Sequence, residues 1–197
     1  MFDYGEVIST APAQQDRDEL LAIAGVASEV LWASYEAHRD RLDHGLLSVT
    51  EYWRRVAVDV GAEWSLTDIQ RLWTADFRGW TSVEPATVDL LDELVQGGTR
   101  IALLSNAGFD FVSPLTFSPI GALFERVFVS AELGLLKPDP AIYLRVASEL
   151  GITPAEMVFV DNKSVNTDAA AALGITTHHF VGVAGLRGFL ESLASGS

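Results

Sequence analysis

The second half of the chain alternates short apolar runs with helix-forming segments, and this alternation limits the possible folds more than any other feature of the sequence. The predicted strands occupy residues 101–104, 127–129, 157–160 and 175–181. The helical patterns occupy residues 86–95, 140–151, 166–173 and 186–193. Apolar strands that alternate with helices form parallel sheets that are buried on both faces. The sequence therefore predicts an α/β fold with a parallel sheet and helices on both of its faces.

Residues 16–79 show a different, purely helical pattern. Ser48 and Ser65 each begin a capping box, with Glu51 and Asp68 three residues further on. Apolar residues also recur at helical spacing from residue 20 to residue 31, which predicts one continuous helix there. We interpret residues 13–84 as a small helical insertion in an α/β core that comprises residues 1–12 and 85–197.

The composition argues against several classes of partner. The 197 residues carry a formal net charge of −14, which disfavours nucleic acid and anionic membranes. The chain contains no cysteine, so the sequence offers neither disulfides nor cysteine-based metal sites. It has no apolar run of the roughly 18 residues that a membrane span needs, and no signal-peptide pattern at its start. We therefore expect a cytoplasmic protein that acts on a small molecule, with no nucleic-acid or membrane partner.

Reactive and polar residues stand at the ends of the predicted strands, or just before a helix that follows one. These residues are Asp3, Ser105, Asn106, Lys137, Asp161 and Asn162. Each alone has a simpler interpretation as a helix cap or a solvated charge. In parallel sheets, however, ligands bind at the carboxyl ends of the strands. The combination therefore predicts one site at that edge of the sheet.

Four segments of the chain, in this order, resemble the haloacid dehalogenase-like (HAD) hydrolase superfamily. They are Phe-Asp-Tyr-Gly-Glu-Val-Ile at 2–8, Leu-Leu-Ser-Asn-Ala-Gly at 103–108, Leu-Lys-Pro-Asp-Pro-Ala-Ile-Tyr at 136–143 and Val-Phe-Val-Asp-Asn-Lys-Ser-Val-Asn-Thr-Asp-Ala-Ala at 158–170. The helical insertion is similar to the superfamily's cap, as in α-glucose-1-phosphate phosphatase-like and epoxide hydrolase N-terminal phosphatase-like members. The resemblance implies a Rossmann-like parallel sheet core with helices on both faces and an inserted small α-helical cap.

The resemblance also implies roles for the residues at the strand ends. Asp3 would be the nucleophile and would form an aspartyl intermediate that water then hydrolyses. Lys137 would neutralise the crowded carboxylates and the substrate anion, while Ser105 and Asn106 would bind the transferred group. The implied activity is that of a phosphatase of small phosphate esters with Mg²⁺, a cation that prefers oxygen ligands. The implied metal ligands are Asp3, the backbone carbonyl of Gly5, Asp161 and Asn162.

Two positions depart from the pattern of the superfamily. Gly5 stands where its phosphatases usually carry a second aspartate as general acid and base, which favours leaving groups that depart with little protonation, such as anomeric or acyl phosphates. Asn162 stands where an acid usually ligates the metal, so we expect weaker Mg²⁺ binding.

The two departures leave two alternatives to a phosphatase. The first is an L-2-haloacid dehalogenase-like hydrolase of halogenated substrates, because that branch needs no metal and expels a halide without a proton. That branch typically carries a tyrosine where Gly5 stands, however, and Ser-rich residues where Asp161 stands. The second alternative is a catalytically degenerate member that binds a ligand or a partner.

Further expectations concern residues near the site. Glu6 could replace the missing acid, but alternation along a strand would place its side chain on the opposite face. Arg39 in the helical insertion could meet a substrate anion, although we interpret it as a solvated helix charge. Only Met1 and Phe2 precede Asp3, so the first strand would leave hydrogen bonds of its neighbours unmet. We therefore expect the natural chain to begin several residues upstream with an apolar stretch.

Overall fold

The computed structural model describes residues 1–195, which form a three-layer α/β core and a helical insertion. The helices are α1 (Gln14–Ala24), α2 (Ser28–Asp43), α3 (Val49–Val60), α4 (Leu66–Gly79), α5 (Pro85–Gln96), α6 (Val112–Phe117), α7 (Ser130–Leu133), α8 (Pro140–Leu150), α9 (Ser164–Ala171) and α10 (Val183–Ser195). The strands are β1 (Ala102–Ser105), β2 (Arg126–Val129), β3 (Val158–Asp161) and β4 (Thr176–His179). Short 3₁₀ turns lie at Phe109–Phe111, Gly121–Leu123 and Pro154–Glu156.

The sheet is parallel, and its middle is formed by the first residues of the chain. β1 pairs with β2, β3 pairs with β4, and Phe2 bridges Leu103 on one side and Val160 on the other. The Phe2 amide donates to the Ala102 carbonyl and the Asp3 amide to the Val160 carbonyl, each at 2.9 Å. In return, Leu104 donates to Phe2 at 2.9 Å and Val160 donates to Met1 at 3.0 Å. The expectation that these hydrogen bonds would be unmet is therefore wrong.

The two faces of the sheet are packed by different helices. Leu103 and Val160 point to one face, where they join buried residues of α5 and α10. Leu104 and Phe159 point to the other face and join buried residues of α8 and α9. Side chains of a strand alternate between faces, so the short apolar runs of β1 and β3 supply both hydrophobic layers at once. The predicted α/β fold, with helices on both faces of a parallel sheet, is confirmed.

Helices α1–α4 enclose a hydrophobic cluster of their own. Its buried residues all lie between residues 20 and 75, and Tyr52 and Trp53 are among the largest of them. The capping boxes predicted at Ser48 and Ser65 are both formed, because each serine accepts a hydrogen bond from the backbone three residues further on.

The helix predicted across residues 20–31 is instead two helices. Gly25 has a φ of 66°, a left-handed conformation that caps α1, and α2 begins at Ser28. The two helices are bent by 97° relative to each other. Within residues 1–195, no single helix is long and apolar enough to cross a membrane, and only this bent pair, taken together, meets the criteria of length and composition.

Candidate active site

The carboxyl edge of the sheet brings three of the predicted residues together. Asp3 follows the central strand residue Phe2, and Asp161 ends β3. Lys137, from the loop before α8, extends its ammonium group between them: Nζ donates to Asp3 Oδ1 at 2.6 Å and to Asp161 Oδ2 at 2.7 Å. It also donates to the backbone carbonyl of Leu104 at 3.0 Å. We call Asp3, Lys137 and Asp161 the lysine cluster.

The lysine cluster is almost completely withdrawn from solvent. The side chains of Lys137 and Asp161 are 1% and 0% exposed, whereas that of Asp3 remains 10% exposed. Burial raises the pKa of Asp3, the neighbouring Lys137 ammonium lowers it, and the Asp161 carboxylate raises it again. Asp3 is thus the one member that both belongs to the buried ion pair and remains open to a ligand.

Asp161 is held by groups that leave little of its carboxylate available. Besides Lys137, the side-chain amide of Asn166 donates to both of its oxygens, at 3.1 and 3.0 Å. The backbone amide of Lys163 donates to Oδ1 at 2.8 Å and closes a tight turn after β3. The sequence analysis gave Asn166 no role, although it lies within the superfamily-like segment 158–170 and five residues after an aspartate at a strand end. Asp161 is therefore placed to anchor Lys137, and its role as a Mg²⁺ ligand stays a prediction.

Ser105 and Asn106, the two predicted substrate-binding residues, occupy different environments. Asn106 clamps the main chain of Lys137: its Oδ1 accepts from the Lys137 amide and its Nδ2 donates to the Lys137 carbonyl, both at 2.9 Å. Ser105 is buried at the end of β1, and its hydroxyl forms no hydrogen bond within the described residues. The Ser105 hydroxyl is thus the group with unused hydrogen-bonding capacity beside the lysine cluster.

After Asp3 the chain turns instead of continuing as a strand. The Tyr4 carbonyl accepts hydrogen bonds from the amides of Ile8 and Ser9 at 2.9 and 2.8 Å, and Glu6 has a φ of 57°. The Glu6 carboxylate consequently lies beside Asn162, whose Nδ2 donates to Glu6 Oε2 at 3.3 Å. The expectation that Glu6 would point to the opposite face is wrong, because it assumed strand alternation in a segment that forms a turn.

The residues around this turn offer oxygen atoms that suit a hard cation. Asn162 Oδ1 is buried and has no hydrogen-bond partner among residues 1–195. The carbonyl of Gly5 accepts no hydrogen bond there either. Together with the carboxylate of Asp3, these oxygens fit the ligand type that Mg²⁺ prefers. In the described part of the chain, however, no three His, Cys, Asp or Glu residues are grouped as a metal site.

A cavity of about 180 Å³ separates the helical insertion from the start of the chain. Its wall includes Glu6 on one side and Arg17, Trp32, Tyr35 and Trp80 on the other. The Arg17 guanidinium lies 4.7 Å from the centre of the Trp32 ring. Because Glu6 also contacts Asn162, the cavity adjoins the strand-end residues. Trp32 and Trp80 thus line this cavity.

The family model for haloacid dehalogenase-like hydrolases matches residues 14–174. The chain belongs to this family. The match begins after Asp3, so the assignment of the nucleophile depends on the geometry described above. The HAD resemblance inferred from the four sequence segments is confirmed.

The relatives include both phosphatases and a dehalogenase. A phosphoglycolate phosphatase from Salmonella typhi is 31% identical over 148 residues, which is 73% of this chain and 56% of that protein. An (S)-2-haloacid dehalogenase from Burkholderia cepacia is 28% identical over 97 residues, 49% of this chain and 42% of that protein. The chain thus spans about half the length of these relatives.

Solved structures support the fold. A HAD family enzyme from Bacteroides thetaiotaomicron, crystallised as a magnesium complex, superimposes with a TM-score of 0.73 at 22% identity. The superposition covers 90% of this chain and 89% of that enzyme. At this identity the likeness establishes a shared fold, which includes the parallel sheet whose edge carries the lysine cluster.

Proposed function

We propose that this hydrolase cleaves small phosphate monoesters through a covalent aspartyl-phosphate on Asp3. The observation that carries the proposal is the lysine cluster, which holds a partly exposed carboxylate beside a buried ammonium at the carboxyl edge of a parallel sheet. The similarity to a phosphoglycolate phosphatase over 73% of the chain supports the same class of activity.

In the proposed reaction, a carboxylate oxygen of Asp3 attacks phosphorus as the ester oxygen departs with the bonding electrons. Water then attacks the aspartyl-phosphate, releases inorganic phosphate and restores the carboxylate. The Lys137 ammonium lowers the repulsion between Asp3 and the substrate dianion, and the Ser105 hydroxyl donates to a phosphoryl oxygen. Asp3, the Gly5 carbonyl and Asn162 would hold Mg²⁺, which supplies further positive charge to the phosphoryl oxygens. Asn106 and Asp161 act through Lys137, whose main chain and ammonium they hold.

The leaving group receives no proton from position 5 in this proposal. An ideal Cβ on Gly5 would lie 3.8 Å from the Trp80 ring, an ordinary contact distance, so the backbone leaves room for the first atom of a side chain there. We infer a preference for substrates whose leaving group needs little protonation, such as anomeric or acyl phosphates.

We also propose that residues 13–84 act as a cap over the site. The cavity between this insertion and the start of the chain supports the assignment, because its aromatic and charged wall is suited to the organic part of a substrate. Substrate identity would then depend on residues such as Trp32 and Tyr35. A cytoplasmic location stays a prediction.

A screen of small phosphate esters, with and without Mg²⁺, tests the proposed function. We expect phosphate release that increases with Mg²⁺ and is greatest for anomeric or acyl phosphates. The same preparation is assayed for halide release from L-2-haloacids, because the Burkholderia relative and the missing acid favour that second candidate. Halide release without phosphate release would replace the phosphatase by the dehalogenase. The absence of both activities over a broad screen would favour a catalytically degenerate protein that binds a ligand or a partner.

A further inference from the structure

The oxygen atoms assigned above to Mg²⁺ include only one carboxylate, the smaller of the numbers that Mg²⁺ sites usually have. Of the three groups, the Gly5 carbonyl and the Asn162 amide are neutral. The third, Asp3, already shares its charge with the Lys137 ammonium at 2.6 Å. Asp161 cannot make good the deficit while its oxygens are occupied by Lys137 and Asn166. Charge on the ligands helps to set the affinity of oxygen sites for cations, so a second carboxylate would strengthen binding.

Glu6 is in a position to provide that carboxylate. It is the one non-glycine residue with a positive φ in the described chain, at 57°. Such a conformation is unfavourable for a residue with a Cβ, and residues held in it concentrate at functional sites. Here it reverses the direction that a strand would give the side chain and places Glu6 Oε2 at 3.3 Å from Asn162 Nδ2.

The contact with Glu6 also decides which end of the Asn162 amide remains for a cation. Because Nδ2 donates to Glu6, Oδ1 is the end without a partner, and it is buried. On the backbone side, the ring of His179 lies within hydrogen-bonding distance of the Asn162 carbonyl, with Nε2 at 2.9 Å. A buried acceptor that is fixed from two sides and has no donor is an independent indication of a missing ligand.

We propose that Glu6 supplies the second carboxylate of the Mg²⁺ site, the charge that neither Gly5 nor Asn162 provides. The proposal rests on the Mg²⁺ site of the proposed function but does not depend on the reaction. The charge would come from the turn after the nucleophile and not from residue 162 on the loop after β3, where the superfamily resemblance led us to expect it.

Calorimetric titration of the full chain with Mg²⁺ tests this assignment without an activity assay. Glu6→Gln keeps the size of the side chain and an acceptor for Asn162 but removes the charge, so we expect the Kd for Mg²⁺ to rise about tenfold or more. Adding Asn162→Asp to Glu6→Gln returns one negative charge to the same contact, and we expect it to recover most of the affinity. Glu132→Gln, at an exposed glutamate of α7, is the matched control and should leave the Kd unchanged.

A second substitution separates loss of charge from misfolding. Glu6→Gly relieves the left-handed conformation, so we expect a melting temperature in EDTA at or above that of the wild type, together with the same weakening of Mg²⁺ binding. A Glu6→Gln variant that binds Mg²⁺ as tightly as the wild type would overturn the proposal. So would a wild-type chain that takes up no Mg²⁺ at millimolar concentrations.

A different experimental outcome would reject the proposed function. A wild-type chain that binds Mg²⁺ through Glu6 but releases phosphate from no ester would leave this inference intact and reject the phosphatase. Phosphatase activity in the wild type, together with a Glu6→Gln variant that binds Mg²⁺ as tightly as the wild type, would support the phosphatase and reject the role of Glu6.

Discussion

Two buried clusters in this molecule have the same number of positive and negative charges but different surroundings. The lysine cluster at the sheet edge joins one cation to two carboxylates. Within the insertion, a second set, which we call the arginine cluster, does the same with Arg39, Asp43 and Asp76. Arg39 Nε donates to Asp43 at 3.1 Å, and its Nη1 donates to Asp76 at 3.3 Å and to the Tyr35 hydroxyl at 2.7 Å. Arg39 is therefore not the solvated helix charge that the sequence analysis expected.

The clusters differ in the type of their cation and in where their carboxylates lie. In the arginine cluster, the planar guanidinium ties α2 to α4 and uses its several donors on neighbouring side chains, which suits a permanent structural link. In the lysine cluster, a compact ammonium holds Asp161 completely buried, while Asp3 is 10% exposed, as Asp43 and Asp76 are at 10% and 11%. The comparison teaches that neither charge nor exposure alone identifies a reactive site. The position of Asp3 at the carboxyl edge of a parallel sheet does.

The largest expected effect separates the clusters by activity. Asp3→Asn should lower phosphate release by about 10³-fold or more, because an amide cannot form the acyl-phosphate intermediate. Its melting temperature should stay close to that of the wild type. Asp43→Asn, which removes the corresponding carboxylate of the arginine cluster, is the control and should retain most of the turnover. Substantial phosphate release by Asp3→Asn would exclude Asp3 as nucleophile.

Removing either cation tests whether the two clusters are equally important for stability. Lys137→Met and Arg39→Met each leave two buried carboxylates without their cation, at an expected cost of about 3–5 kcal/mol in the free energy of unfolding near pH 7. The cost should shrink near pH 5, because the stranded carboxylates can take up protons. Urea denaturation at both pH values measures it, and only Lys137→Met should also abolish turnover. An unchanged stability of Lys137→Met would mean that the lysine cluster is solvated.

The pH dependence of stability sharpens the comparison within the insertion. Burial raises the pKa of Asp43 from 3.8 to about 6, against the opposing effect of Arg39. The folded chain therefore binds more protons at Asp43 than the unfolded chain between about pH 4 and 6, and this group makes stability fall as pH rises through that window. Asp43→Asn removes the effect, so its stability relative to the wild type should improve from pH 4 to pH 7. Parallel pH profiles for the two proteins would contradict the assignment.

The smallest expected effect concerns Ser105, whose hydroxyl is not used within the fold. Ser105→Ala should reduce kcat/KM about tenfold, the value of one hydrogen bond to a charged phosphoryl oxygen. Because the hydroxyl has no partner among the described residues, thermal stability should hardly change. Ser34→Ala is the matched control, since that hydroxyl donates to Asp59 at 2.9 Å inside the insertion. Equal effects of the two substitutions on kcat/KM would argue against a substrate contact at Ser105.

The sheet and the strand-end residues could be predicted because the signal for each is local. Apolar runs followed at once by Asp3, Ser105 or Asp161 report both the strand and the polar residue at its end. The hydrogen bonds that hold these residues were not predicted. Asn106 binds the main chain of Lys137, 31 residues further on, and no local pattern reports such a contact. Asn166 fixes Asp161 from only five residues away, but it looked like an ordinary helix residue.

The wrong expectations share one cause, because each extended a local sequence pattern across a turn, a helix break or a contact that only the folded chain shows. Alternation at Glu6 presumed a strand, whereas the backbone turns at Tyr4. Helical spacing across residues 20–31 hid the break at Gly25, whose left-handed conformation stops α1. Arg39 could not be distinguished from a surface charge, because its burial depends on Asp76 in another helix.

The pairing of residues 1–3 with both β1 and β3 makes this short segment the joint between the two halves of the sheet. The amides of Leu104 and Val160 donate to its carbonyls from opposite sides. Their exchange with deuterium therefore reports how often the joint opens, independently of any catalytic assay. A ligand held by Asp3 would slow the exchange of both amides together. The exchange rates of these two backbone positions, on opposite sides of the nucleophile, would therefore report whether the site is occupied.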